Sequence, residues 1–278
     1  MKYFTLNCKG KLLTMDAPIV MAILNTTPDS FFDGGKYIHE AAILHQVERQ
    51  LKDGATIIDI GGMSTRPNAE LISEEEELKR VIEPIKSIHQ HFPEAILSID
   101  TFRSKVAEEA VLHGVSIIND ISGGTEDERI FEVAAKYTSA LILMHKQGSL
   151  QTMHQKQKYE NLLVDILDFF IAQTAKAKEF GIKDVIIDVG FGFSKTIEQN
   201  YSLLKNLRIF EQLEKPILVG LSRKSMLYKL LNTTAENALN ATTIANTIAL
   251  QNGASVLRVH DVKEAMECVK IWKMLNDK

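Results

Sequence analysis

One pattern recurs along the chain and restricts what it can fold into: four to six apolar residues, an abrupt polar end, then a helical stretch closed by glycine. The run Ile217-Leu218-Val219-Gly220-Leu221, ending in Ser222-Arg223-Lys224-Ser225, is the clearest case. It is too short for a helix and apolar on successive residues, the composition of a strand buried on both faces. Similar runs lie at 19–24, 56–60, 95–99, 115–118, 140–144, 185–187 and 255–257. Helical spacing separates them, as in Ala41, Leu44, Val47 and Leu51 before Gly54, or the amphipathic stretch from Asn161 to Phe180 before Gly181. Ser73 with Glu76, Thr196 with Gln199 and Asp261 with Glu264 have capping-box spacing and predict three helix starts.

Eight strands alternating with helices predict an α/β fold, a (β/α)8 TIM barrel. No linker or break in composition divides the 278 residues, so one domain is expected over 1–278. A doubly wound sheet is the poorer reading, because the first strand is not followed by GxGxxG and polar strand ends are spread along the chain. Tyr3 to Met15, with Asn7-Cys8-Lys9-Gly10 at its centre, predicts a short hairpin turning at the glycine and plugging one barrel end.

A barrel of this kind works at the C-terminal ends of its strands. Here those ends carry Asn25, Asp100, Asn119, His145, Asp188, Lys224 and Arg258. Taken singly, Asp100 reads as a helix cap, His145 as a satisfied histidine and Ser194-Lys195 as a weak phosphate nest. Asp188 is harder to explain away, since a carboxylate at the end of an apolar strand needs a partner. The acidic run Glu74 to Glu77 reads as a solvated helix start. Taken together, Arg258 and His260, two apart, point the same way and can grip one anion; Lys224 is one strand earlier and Asn25 one strand later. These groups suit a phosphorylated substrate, with Asn25 offering an oxygen to Mg²⁺. Asp100, Asn119 and Asp188 suit a flat heterocycle rich in N–H groups. The division is that of a transferase.

Composition excludes other classes. A net charge of -4 with dispersed lysines argues against a nucleic-acid partner. No apolar run approaches the ~20 residues of a membrane span, and the N-terminus lacks the apolar core of a signal peptide, which predicts a cytoplasmic protein. Cys8 and Cys268 have no metal or disulfide spacing.

The chain resembles the dihydropteroate synthase family over nearly its whole length. The resemblance is carried by Asn25-Thr26-Thr27-Pro28-Asp29-Ser30-Phe31 with Asp33-Gly34-Gly35, and by Gly61-Gly62 with Ser64-Thr65-Arg66-Pro67. Further matches are Asp100-Thr101, Asn119-Asp120, Met144-His145, Gly190-Phe191-Gly192-Phe193, Ser222-Arg223-Lys224-Ser225 and Arg258-Val259-His260-Asp261. It implies that p-aminobenzoate displaces diphosphate from 6-hydroxymethyl-7,8-dihydropterin diphosphate, giving dihydropteroate for folate synthesis. Asp100, Asn119, Asp188 and Lys224 would then hold the pterin, with Lys224, Asp100 and Asp188 carrying the catalysis. Thr65, Arg258 and His260 would meet the diphosphate, and Asn25 the Mg²⁺. Phe31, Arg66, Pro67 and Ser222 would form the p-aminobenzoate side once the first two loops, expected to be mobile, have closed. The family also implies a homodimer. Met63, Val189, Leu150 and Ser194 depart from the family's usual Glu, Pro, Pro and Gly. Rival readings are a pterin-binding methyltransferase, a non-catalytic pterin-binding paralogue, and an aldolase-type barrel with Lys224 as a Schiff-base lysine.

Overall fold

The computed structural model describes residues 2–26, 36–63, 71–149, 152 and 158–276. A hairpin comes first, β1 (Phe4–Cys8) antiparallel to β2 (Lys11–Met15). Lys9 and Gly10 both have positive φ, 52° and 90°, the pair of left-handed residues that lets a two-residue turn follow the twist of its strands. The Asn7 side chain accepts from the Gly10 amide at 2.7 Å.

Then come β3 (Ile19–Asn25), α1 (Lys36–Lys52), β4 (Ile57–Gly61), α2 (Glu74–His91), β5 (Ile96–Asp100), α3 (Ser104–Leu112), β6 (Ile117–Asp120) and α4 (Arg129–Lys136). The second half continues with β7 (Ala140–Met144), α5 (Leu162–Glu179), β8 (Val185–Asp188), α6 (Ile197–Lys205), a 3₁₀ helix Leu207–Leu213, β9 (Ile217–Val219), α7 (Ser225–Leu230), α8 (Leu239–Gln251), β10 (Val256–Val259) and α9 (Val262–Asn276). Strands β3 to β10 pair in parallel with their neighbours in chain order, and β10 pairs with β3 to close the barrel. Each sits within a residue or two of its predicted position.

Period-two alternation sorts every barrel strand into two faces. Val20, Ala22, Ile58, Ile60, Leu97, Ile99, Leu141, Ile187 and Leu257 face the helices and build the larger core. Met21, Ile57, Ile117, Ile142, Ile186, Leu218 and Val256 face inward and pack with Leu6, Cys8, Leu13 and Met15 of the hairpin. The hairpin therefore closes the N-terminal end of the barrel with apolar side chains, as expected. Two residues further along the same inward face, Ile57 leads to Asp59, Ile117 to Asn119, Ile186 to Asp188 and Val256 to Arg258. The barrel interior is thus apolar at its base and polar at its top.

Two of the three predicted caps stand: Ser73 accepts from the Glu76 amide, and Thr196 and Gln199 form the full reciprocal box. The Asp261 carboxylate is taken up differently, by both arms of Arg223 at 2.9 and 3.0 Å. Glu77 corrects a further expectation, because its side chain is fully buried rather than solvated and meets Arg103 and Thr101. It faces the β5–α3 connection instead of water. Among the described residues no helix is long and apolar enough to cross a membrane.

Candidate active site

At the C-terminal mouth of the barrel, Arg258 reaches across from β10, its Nε 2.6 Å from Asp59 Oδ2 and its Nη2 bonded to Asp100 Oδ2. Asn119 donates to the same Asp59 oxygen at 3.0 Å. Burial works against the guanidinium charge, and the two carboxylates more than offset it. Burial also pushes the Asp100 carboxyl up to about 7, with Arg258 pulling the other way and Asp59 adding to the rise. Four strands, β4, β5, β6 and β10, are thereby joined in one polar network, and one of its members, Asp59, was missed from sequence. Its signal was there to read: a carboxylate inside the otherwise apolar run Ile57-Ile58-Asp59-Ile60 must face a partner. Asp59 Oδ1 is buried with no partner among the described residues.

Glycine at 61 keeps the floor open beside this network. A methyl group there would lie 3.8 Å from Asp100 Oδ2 and 3.9 Å from Asn25 Oδ1, so the two oxygens flank one small space.

On the far side, Asp188 ends β8 and accepts from the Gly190 amide at 2.8 Å. Burial raises its pKa, while that amide and the charge of Lys224 oppose the rise. Lys224, half-buried after β9, donates to the carbonyl of Phe191 and stands 4.1 Å from the centroid of the Phe193 ring. Burial lowers its pKa to about 8 against the pull of Asp188. Phe193 joins Ile121, Met144 and Phe102 in a small apolar wall. Carboxylates, an amide and an ammonium around an apolar wall can hydrogen-bond the edge of a flat heterocycle while its face stays dry.

Ser222 and His260 form a separate pair, Oγ to Nδ1 at 2.9 Å. His260 lies just beyond β10 and is exposed, whereas Arg258 is turned onto the carboxylates. Phe31, Thr65, Arg66, Pro67 and Leu150 lie outside the described residues, as does most of each of the first two loops.

Ser194-Lys195 is not an open phosphate nest. Lys195 is buried, and its Nζ contacts Gly190 O at 3.0 Å, Phe193 O at 3.2 Å and His145 Nδ1 at 3.1 Å. Ser194 has φ 53°, the conformation that favours glycine, and its hydroxyl accepts from the Gln147 amide at 2.7 Å. Asp120 faces the helices rather than the barrel and braces its own loop through the amides of Ser122 and Gly124 at 2.7 and 2.6 Å.

Residues 21–260 match the family model described as pterin binding enzyme. The dihydropteroate synthase of Haemophilus influenzae is 41% identical over 270 residues, 96% of this chain and 98% of its own. The Yersinia pestis dihydropteroate synthase in complex with a sulfonamide drug superposes with a TM-score of 0.92 at 39% identity, covering 99% of this chain and 100% of that one. The Xanthomonas albilineans enzyme with 4-aminobenzoic acid gives a TM-score of 0.92 at 34% identity, with 100% of both chains covered. With matching sequence, barrel and polar strand ends, the chain belongs to the dihydropteroate synthase family of pterin binding enzymes.

Proposed function

We infer that this protein is a dihydropteroate synthase, condensing 6-hydroxymethyl-7,8-dihydropterin diphosphate with p-aminobenzoate to give 7,8-dihydropteroate and diphosphate in folate biosynthesis. The observation that carries this is the ring of Asp100, Asn119, Asp188, Lys224 and Arg258 at one barrel mouth, in a chain 41% identical over 270 residues to such an enzyme. In the reaction the bond from the pterin methylene carbon to the diphosphate oxygen breaks, its electron pair leaving with the oxygen. The carbon gains a bond to the arylamine nitrogen, which releases one proton.

The pterin edge is read by Asp100, Asn119 and Asp188 as acceptors and by Lys224 as donor. Asp100, ionised, stabilises positive charge developing at the methylene carbon, in a site dry enough for that interaction to be strong. Arg258 and His260, with Thr65, meet the diphosphate. Ser222, with Phe31, Arg66 and Pro67, forms the p-aminobenzoate side. Asn25 would hold Mg²⁺: a single neutral oxygen beside an open space fits a hard cation that would take its remaining ligands from water and phosphate. No group of three or more His, Cys, Asp or Glu able to hold a metal occurs among the described residues, so the ion would enter with the diphosphate. Bound there, it would neutralise charge on the leaving group.

A homodimer is supported by the exposed apolar residues Ile244 and Ile248 on α8 and Ile271 and Leu275 on α9, which packs against α8. A cytoplasmic location is supported by Cys8 and Cys268, both free thiols. The test is to incubate the protein with the pterin diphosphate, p-aminobenzoate and Mg²⁺ and assay diphosphate and dihydropteroate. Both should appear in equal amounts and only with Mg²⁺ present; diphosphate without dihydropteroate, or neither, rejects the reading.

A further inference from the structure

We propose that Lys195 is a positioning residue for this reaction: its buried ammonium fastens the turn 190–193 to the end of β7, and that turn aims Lys224 into the site. The proposal rests on the reaction inferred above.

Lys195 has the surroundings of a fastener. Its Nζ contacts Gly190 O, Phe193 O and His145 Nδ1, so each of its three protons has an acceptor. Burial lowers the Lys195 pKa to about 7 against the pull of Asp188; while protonated the group can only donate, so His145 then accepts through Nδ1 and carries its proton on Nε2. The imidazole is kept neutral, its pKa pushed down to about 2 by burial and then by the nearby charge of Lys195. The charged groups that bear on Lys195 are Asp188 from β8 and Lys224 from the β9 end, while Lys146 bears on His145 from the β7 end.

The turn needs such a fastener. Gly190 and Gly192 have φ 71° and 80°, outside any regular ladder; the Phe193 amide donates to Gly190 O at 3.2 Å within the turn, and Lys195 adds a donor to Gly190 O and to Phe193 O. It also lies hard against β7: a Cβ on Gly190 would be 1.9 Å from His145 O. Three of its parts then serve the site. The Gly190 amide holds Asp188, the Phe191 carbonyl receives Lys224 Nζ, and the Phe193 ring lies beneath that ammonium. Gly192 leaves room for the Lys224 stem, since a Cβ there would be 2.8 Å from Lys224 Cδ. A lysine side chain is long and flexible, and without this seat Lys224 has no fixed direction. The Lys195 Nζ contacts are with this turn and with His145, so it seats Lys224 through the turn, while its charge also bears on Asp188.

A double-mutant cycle between Lys195→Met and Lys224→Ala tests this, with wild-type turnover as the control for the reaction itself; an inactive wild type would fault that reading and remove the basis of this one. Lys195→Met should stay folded and lower kcat/KM for the pterin diphosphate by roughly tenfold or more, with KM for p-aminobenzoate within about twofold. In the Lys224→Ala background the same change should cost less than about twofold, because the group it positions is already gone. Equal losses in both backgrounds, or wild-type kcat/KM in Lys195→Met, would overturn the proposal. Lys195→Gln, which keeps an amide donor, replaces Met if that variant does not fold; if neither folds, Lys195 is a stability residue and the proposal is wrong.

Discussion

Lys224 receives both of its contacts, the Phe191 carbonyl and the Phe193 ring, from one turn, and burial has brought its pKa down to about 8. In the role proposed for it, a charged donor to the pterin, it would work only while protonated. kcat/KM should therefore rise as Asp100 ionises through about pH 7 and fall above about pH 8 as Lys224 loses its proton, by about tenfold per unit well beyond either value. Lys224→Ala should lower turnover by roughly a hundredfold, the scale of one well-placed donor, without moving the melting temperature. It should also abolish the alkaline limb. Lys224→Arg should fail as well, since a planar fork does not fit the compact seat over Gly192. Near-normal kcat in either variant would remove Lys224 from the mechanism, and a borohydride-trapped adduct would turn it into a nucleophile. The strand-end groups were legible residue by residue because polar side chains closing apolar runs stand out. Asp59 was legible only as a carboxylate in need of a partner, since it lies inside its run; its inward direction, shared with Ile57, is what puts it among the site groups.

At the level of elements, the ion pair between Glu77 in the first turn of α2 and Arg103 before α3 joins two helix starts that follow β4 and β5. Glu77 is fully buried, one of its oxygens has no partner among the described residues, and Arg103 also donates to Ile72 O at 2.6 Å. Burial raises the Glu77 pKa, with Thr101 and Arg103 pulling it down. Removing one partner leaves an uncompensated buried charge, so Arg103→Met should destabilise the protein by about 3–5 kcal/mol. Urea unfolding would measure this, and a change under about 1 kcal/mol would mean that the pair is as dispensable as a surface one. Replacing both partners with apolar residues should recover much of the loss. From sequence, Glu77 is the fourth of four consecutive acids and looks like part of a solvated helix start. The helix turns about 100° per residue, so one of four must face the barrel, and nothing in a run of identical charges says which. The Asp120 loop has a related ambiguity: Asn119 and Asp120 are adjacent on β6, and the pleat sends one to the site and the other to its own turn.

Over the whole molecule, closure at the base and association at the side are separable. Leu6 is buried with Met21, Ile57 and Ile142 inside the barrel base, so Leu6→Ala should cost about 2–5 kcal/mol as a cavity, read as a lower midpoint of denaturation. A loss under about 0.5 kcal/mol would mean that the hairpin is not a plug. Sedimentation of the wild type should give a dimer, and Ile248→Asp with Ile271→Asp a folded monomer; a wild type that stays monomeric at high concentration refutes the exposed apolar face as a dimer contact. The sequence by itself determined the barrel, because eight buried parallel strands read as short apolar runs and their helices as 3.6-residue periodicity, both local signals. It also marked the polar strand ends that the fold gathers at one mouth, because in a parallel barrel every strand ends on the same side. Only the tertiary structure decided which charges meet. Arg258 finds Asp59, 199 residues away in sequence, and Lys195 finds His145, 50 away. Such pairings depend on inward direction, side-chain reach and left-handed turns, and these exist only once the barrel has closed.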